Sequence, residues 1–534
     1  MKKKLHLILA PLLAVSMLVG CGSNAATDNK ASTGDTNIAD NKASTDDTSI
    51  AETLVFAQGA EPRGLDPALV DDGESSKVIV NIYEGLIAYA KDSTELEPAL
   101  AESWEVSEDG LSYTFKLRQG VKFHDGTEFN AEAVKFNIDR QLPPQRTEDM
   151  PYASFVYADV KDVVVVDDYT VQINLVKKNT AFLANLAMSL AAPIVSPAAL
   201  EANGGNVNEA PVGTGPYKFV AWNPSEDIVL ERNDEYWRGP AKTKNIVFKF
   251  IPDNSARIVA LKSGEVDMID GIDSTGVDQI TADGNELYNV SGMNINYLAY
   301  NTTRAPFDNV AVRTALSKAV NVPELAKALY GDYAEVATTI LPTFMPGYSE
   351  DVKQVEYNPE AAQAELEAAG FTGPIKMIVY NNPRPYNARN KALAEAVQSY
   401  WSKVGVEVTI EDYDWTTYKD KVVAGDYDVC FYGWIGDNGD PDNFLNLLVD
   451  QNVAMNVARL NDEKLNAMIA EGTSAPKGPE RDAIYIEAEK YIASLAVWLP
   501  ISHANSISAY SPEVQNYSYH PTGNIFFREM YKNK

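Results

Sequence analysis

The sequence predicts an α/β protein, and three patterns carry that reading. Segments 112–117 (SYTFKL), 170–176 (TVQINLV) and 245–250 (NIVFKF) alternate apolar and polar residues with the two-residue period of half-buried strands. Helical segments with clear signals lie among such strands: Asn358 and Pro359 open one as N-cap and first position, and Gly370 ends it. Asp308 is expected to cap another, running through Val312, Leu316 and Val320. The third pattern is a regular succession of strand and helix signals over 375–432. At 534 residues, 45% hydrophobic and 22% charged, the chain has room for two or three domains of roughly 100–200 residues each.

Taken in order, the first element is a leader. Lys2, Lys3 and Lys4 precede a short apolar core from Leu7 to Val19. That core is too short and wrongly flanked for a permanent span, so it reads as a secretory signal. It ends in Leu18-Val19-Gly20-Cys21, which resembles a bacterial lipobox. Residues 1–21 are therefore expected to be a lipoprotein signal, with Cys21 acylated and N-terminal in the mature chain. One lipid group anchors an exported body without spanning the bilayer.

Residues 22–51 carry almost no large apolar side chain and hold a tandem repeat, DNKASTGDTNIA (28–39) followed by DNKASTDDTSIA (40–51). So polar a unit cannot bury a core and reads as a flexible tether. About 30 residues at roughly 5–6 Å × √n hold the body some 30 Å from its anchor. Cys430 is the only other cysteine, so the mature chain can form no internal disulfide. Its apolar setting, YDVCFY (427–432), marks a buried structural thiol.

Segment 375–380 (IKMIVY) reads as a strand and leads into the loop NNPRPY (381–386). A helix follows, with Ala392, Leu393, Ala396, Val397, Tyr400, Trp401 and Val404 on one face and Gly405 as its stop. Next come a strand at 406–410, a helix at 415–424 capped by Asp414 and ended by Gly425, and a strand at 427–432. Right-handed crossovers make three such strands parallel. Their carboxyl ends then share the sheet edge where open α/β sheets bind ligands. Arg384 leaves the first strand at that edge and Asp437 leaves the third, so a cation and an anion face one crevice.

The loop FYGWIGDNGDPDNF (431–444) admits several chemistries. An EF-hand needs acids at positions 1, 3 and 5, Gly at 6 and Glu at 12. Counting from Asp437, position 3 is Gly439; from Asp440, position 5 is Phe444, so calcium fails. A glycosidase pair requires only two acids about 5–9 Å apart, but nothing in the sequence marks one acid as having a raised pKa. The three histidines beyond the leader, His124, His503 and His520, are scattered, and no G-x-S-x-G, H-E-x-x-H or C-x-x-C occurs. Segment 213–218 (GTGPYK) lacks the third glycine of a dinucleotide fingerprint. No catalytic residue, metal or cofactor is expected. The net charge of −30 repels nucleic-acid phosphates and anionic lipid surfaces, so neither is an expected partner. Asp440-Pro441-Asp442 suits a solvated turn that caps the next helix. Asp437, directly behind the strand and beside Gly436 and Trp434, suits a ligand contact.

Several segments together resemble the solute-binding proteins of the peptide/nickel group (family 5) of ABC importers. They are 96–129 (LEPALAESWEVSEDGLSYTFKLRQGVKFHDGTEF), 211–222 (PVGTGPYKFVAW), 230–237 (LERNDEYW) and 300–321 (YNTTRAPFDNVAVRTALSKAVN). The narrower match, RPYN (384–387) with GWIGDNGDPDNF (433–444), is to the dipeptide-binding branch. The resemblance implies a two-lobed periplasmic-binding-protein-like fold that closes at a hinge. Lobe I would span 52–300 with an inserted subdomain near 90–200, lobe II 301–500, and 501–534 would return to lobe I. The crossings would lie at Asn301-Thr302 and 500–505.

It also implies that Arg384 receives a dipeptide's α-carboxylate and Asp437 its α-ammonium. Backbone groups of Trp434, Ile435 and Gly436 would pair with the peptide main chain, and Tyr386 and Asp71 would border the pocket. Asp71 and Ile435 stand where the family pattern suggests a hydroxyl residue, and Asp71 there would favour basic peptides. The implied partners are the two permeases of an ABC importer and their ATPases, with the membrane reached only through the lipid. The protein would be a monomer on the outer face of the cell membrane, with a Gram-positive surface the best fit. Oligopeptide, glutathione, haem or chelated nickel as solute, and a carboxylate-pair hydrolase, are the competing readings.

Overall fold

The computed structural model describes residues 50–272, 276–381, 384–387, 389–449 and 455–534. The leader with Cys21 and tether residues 22–49 lie outside the described residues. Ile50 already bridges Asn533, and the Ala51 amide donates to the Lys532 carbonyl at 2.8 Å. The last two residues counted with the tether therefore belong to the folded body.

One lobe is built on a seven-stranded sheet in the order Glu286–Val290, Ser506–Tyr510, Met268–Asp270, Thr53–Gln58, Asn245–Phe250, Asp227–Arg232 and Tyr217–Asn223. Thr53–Gln58 runs parallel to both of its neighbours. The alternation that marked 245–250 buries Ile246, Phe248 and Phe250. The chain's C-terminal segment returns here. Phe527 packs edge-on against Phe56 and Phe248, with ring centroids 6.0 and 5.4 Å away.

Four antiparallel strands, in the order Ala101–Val106, Ser112–Leu117, Thr170–Leu175 and Val160–Asp167, form a separate sheet inside the span read as an insertion. Its own core contains Phe115, Val171, Ile173 and Phe182.

The second lobe is built on a six-stranded sheet in the order Ala334–Val336, Trp498–Ala504, Asn294–Tyr300, Val429–Ile435, Ile375–Tyr380 and Val408–Tyr413. Ile375–Tyr380 is parallel to both Val408–Tyr413 and Val429–Ile435, as the crossover argument predicts. Both faces are covered, which explains why these strands read as continuous apolar runs. Ile378, Tyr380, Cys430 and Tyr432 belong to one core, and Met377, Val379, Val429 and Phe431 to the other. Burial pushes the Cys430 thiol up to about 12, the behaviour of a packed structural cysteine.

Two expectations need correction. Strand Asn294–Tyr300, counted with the first lobe, lies inside the six-stranded sheet between Trp498–Ala504 and Val429–Ile435. The chain therefore passes between the sheets at 291–293 and again at Asn505, not at Asn301-Thr302. The second correction is a cap: helix Val310–Lys318 starts from Asn309, whose side chain accepts the Ala311 amide, and not from Asp308. The other expected caps, Asn358 and Asp414, accept the amides of Ala361 and Thr417.

Candidate ligand-binding site

Strand Val429–Ile435 and the loop behind it bring Trp434, Ile435, Gly436 and Asp437 to the sheet edge facing the other lobe. The Asp437 carboxylate is partly buried and meets neutral donors. The Tyr152 hydroxyl lies 3.3 and 3.5 Å from its two oxygens, and Asn443 Nδ2 lies 3.5 Å from Oδ2. Among the described residues it makes no ion pair. Burial pushes it up to about 7, against the pull of the Asn443 and Tyr152 hydrogen bonds. Its main chain is fixed as well: its amide donates to Asn443 Oδ1 at 3.1 Å, and its carbonyl accepts from the Tyr89 hydroxyl at 3.1 Å. Asn443 Oδ1 also accepts the Trp434 indole N–H at 2.8 Å, so one amide side chain positions both residues.

The strip 434–436 is less free than the resemblance implies. The Gly436 amide already donates to the Met293 carbonyl at 2.7 Å. In an antiparallel pair, main-chain groups alternate between the two sides of a strand. Those of Gly433 and Ile435 therefore point away from Asn294–Tyr300. Ile435 is the residue of the strip with main-chain groups on the open side.

Arg384 sits in a tight turn in which it and Asn387 exchange main-chain hydrogen bonds of 3.2 and 2.9 Å. Asn387 is buried and holds the turn through Tyr330, Asn296 and Asn390. The Arg384 guanidinium lies 3.6 Å from the centre of the Trp415 ring, and its buried Nε has no hydrogen-bond partner. No carboxylate pairs with it among the described residues. Tyr386 is buried, and its ring packs where a Cβ on Gly433 would stand, 2.3 Å from that position.

Asp71 lies on the opposite lobe, exposed, in an ion pair with Arg63. That partner neutralises the charge from which a preference for basic peptides was expected. Nothing local marks this pairing, because an arginine eight residues away has no fixed geometry in a loop.

The other acids of the loop are not solvated. Asp440 is 2% exposed and receives a two-pronged grip from Arg481, at 2.7 and 2.8 Å. Asp442 accepts from Thr473 and Asn446, and burial pushes it up to about 6. Both carboxylates are thus committed within their own lobe.

The lobes touch around this loop. Asn438 donates to Asn185 at 2.7 Å, the Thr180 amide to the Thr473 carbonyl at 2.9 Å, and Tyr89 to Asp437 as above. Among the described residues there is no cluster of three or more potential metal ligands.

Comparison with known proteins agrees with this architecture. Residues 95–456, more than half of the chain, match the family model described as bacterial extracellular solute-binding proteins, family 5 Middle. Heme-binding protein A of Haemophilus influenzae is 34% identical over 88% of this chain and 90% of its own length. The dipeptide-binding protein of Escherichia coli is 32% identical over 90% and 94%. A solved structure of the ABC transporter-associated periplasmic binding protein DppA from Helicobacter pylori, in complex with the peptide STSA, superposes with a TM-score of 0.81. It is 31% identical and covers 91% of this chain and 99% of that one. The chain belongs to family 5 of the bacterial extracellular solute-binding proteins.

Proposed function

We propose that this protein captures a dipeptide between its lobes and delivers it to the permease and ATPase subunits of an ABC importer. Asp437 would receive the α-ammonium and Arg384 the α-carboxylate. The observation that carries the reading is a pair of opposite charges at one sheet edge, neither paired with an opposite charge among the described residues. Asp437 has only neutral donors, and Arg384 has an aromatic ring beneath it and an open Nε. A buried charge without a partner is costly, and a zwitterion supplies both partners at once. Guanidinium grips carboxylate in a two-pronged, charge-assisted bond. Two residues of extended chain span roughly 6–7 Å, so a fixed Asp–Arg pair measures length as well as charge. The dipeptide-binding relative supports this choice of ligand. The leader supports export and a lipid anchor on Cys21, with a Gram-positive surface suiting its tether.

Calorimetry with a dipeptide and its blocked forms tests the reading. N-acetylation should strand Asp437 and C-amidation should strand Arg384, each costing about 2–5 kcal/mol, roughly 30- to 4,000-fold in affinity. A tripeptide should bind more weakly because its ends overshoot. Equal binding of blocked and free dipeptides would pass the site to a non-peptide solute; equal binding of tri- and dipeptides would pass it to longer peptides.

A further inference from the structure

We propose that Lys419 is a second cation of the same site, placed to receive a side-chain carboxylate on the residue that carries the ligand's C-terminus, so that dipeptides ending in Asp or Glu are preferred. The proposal rests on the dipeptide reading and adds to it the class of side chain.

Lys419 lies one turn beyond Trp415 on helix Trp415–Ala424, so both side chains share one helix face. Trp415 is the ring on which Arg384 rests. The Lys419 ammonium stands 5.7 Å from the centre of that ring and 5.9 Å from that of Tyr432, and donates to the Tyr432 hydroxyl at 3.2 Å. Among the described residues no carboxylate lies within ion-pair distance of it. The next lysine on the helix, Lys421, is paired with Asp426 at 2.7 Å. The contrast is informative, because acids outnumber bases 75 to 45 in this chain. A half-buried lysine left without an acid is not explained by a shortage of acids.

Among the described residues, the charged groups that act most on Lys419 are Asp71, Arg384 and Arg63. Asp71 is already paired with Arg63, and Arg384 repels. Burial holds the ammonium below the ordinary lysine range, with Arg384 and Arg63 adding to the shift and Asp71 opposing it. With Arg63 and Asp71 cancelling, Asp437, Arg384 and Lys419 leave the site one positive charge in excess. A dipeptide with one ammonium and two carboxylates complements all three. Without such a ligand, Lys419 would be an aliphatic stem packed along two rings with its head held by a phenol.

Calorimetry with Ala-Glu, Ala-Gln, Glu-Ala and Ala-Lys on the wild type, Lys419→Met and Lys419→Arg separates these outcomes. The wild type should bind Ala-Glu about tenfold more tightly than Ala-Gln, the scale of one charge-assisted bond, and Ala-Lys most weakly. Glu-Ala, with the same charge on the other residue, should not share the gain. In Lys419→Met the ratio of Ala-Glu to Ala-Gln affinity should collapse to about one, and Lys419→Arg should keep a preference for Ala-Glu. A wild type that binds both Ala-Gln and Ala-Glu with one affinity overturns the role of Lys419 and leaves dipeptide capture standing. A ratio unchanged by Lys419→Met assigns the preference elsewhere and also overturns it. A wild type that binds none of the four overturns both readings.

Discussion

Asp437 is a titrating group in the neutral range, and this gives the site a pH signature. Its folded-state pKa, about 7, stands above the ordinary value of 3.8, so the folded protein holds a proton there that the unfolded chain has released. The contribution to stability is therefore greatest below about pH 4 and falls as pH rises toward 7. A bound ammonium reverses the preference by favouring the carboxylate, so capture near or below neutrality releases a proton. Dipeptide affinity should fall by up to roughly tenfold per pH unit below 7 and level off above it. Titration calorimetry in buffers of different ionisation heat reads the proton directly. Asp437→Asn should flatten the profile while keeping discrimination at the carboxylate, and Arg384→Gln should keep the profile while losing that discrimination. A wild-type affinity flat from pH 5 to 8 would remove Asp437 from the amine. Arg384 and Asp437 were legible because each follows a strand that the apolar pattern marks. Asn443, Arg481 and Lys419 were not, since their partners are brought near only by folding. Asn443 had one local cue, an amide side chain six residues behind the acid it orients.

At the scale of elements, the loop behind strand Val429–Ile435 is held by a partner far along the chain. Arg481 belongs to helix Pro479–Leu495 and its two bonds to Asp440 are buried, both side chains being at most 3% exposed. Asp440 also accepts the Asp442 amide at 3.1 Å, so the ion pair fixes the first turn of helix Asp442–Val449. Arg481→Met should leave a buried carboxylate unpaired and cost about 3–5 kcal/mol, seen as a lower melting temperature in calorimetry. Adding Asp440→Asn should recover part of the loss, because the stranded charge is gone. A single variant that melts with the wild type would show that the pair holds nothing. The reading of this loop as a solvated turn failed for one physical reason: turn chemistry at Asp-Pro-Asp is the same whether the carboxylate meets water or an arginine. The three parallel strands were legible, because strand and helix periods alternate with clear stops. The strand Asn294–Tyr300 was assigned to the wrong sheet because nothing local distinguishes a strand that ends one lobe from one that begins the next.

Across the whole molecule, the lobes are joined by two adjacent passages, 291–293 and Asn505. Asn294 ties them together, donating to the Ala504 carbonyl at 2.7 Å and accepting the Ala504 amide at 2.8 Å. A Cβ on Gly292 would fall 2.2 Å from that carbonyl, so the passages lie closer than a side chain allows. The resemblance implied one crossing at Asn301-Thr302, but where the chain crosses is set by which strands pair, and Asn294–Tyr300 pairs within the second sheet. Anchoring belongs to this scale too: Cys21→Ala should move the protein from the membrane fraction to the soluble fraction, and continued tight membrane association would end the lipoprotein reading. If ligand draws the lobes together, the interface must fit when they meet, and Gly439 is a tight point of that fit. A Cβ there would stand 1.9 Å from Thr94 Oγ1 on the facing lobe. Gly439→Ala should oppose closure by about 1–3 kcal/mol, the usual cost of overpacking. Because a ligand favours closure only through its differential affinity for the two arrangements, that penalty should appear as weaker dipeptide binding, roughly 5- to 150-fold. Small-angle scattering should show the wild type contracting with dipeptide and the variant contracting less at the same ligand concentration. Thr94→Gly added to Gly439→Ala removes the atoms it meets and should restore both affinity and contraction. A loss of affinity that Thr94→Gly does not repair would mean that Gly439 serves its own loop, and scattering unchanged by saturating dipeptide in the wild type would end the hinge-closure proposal.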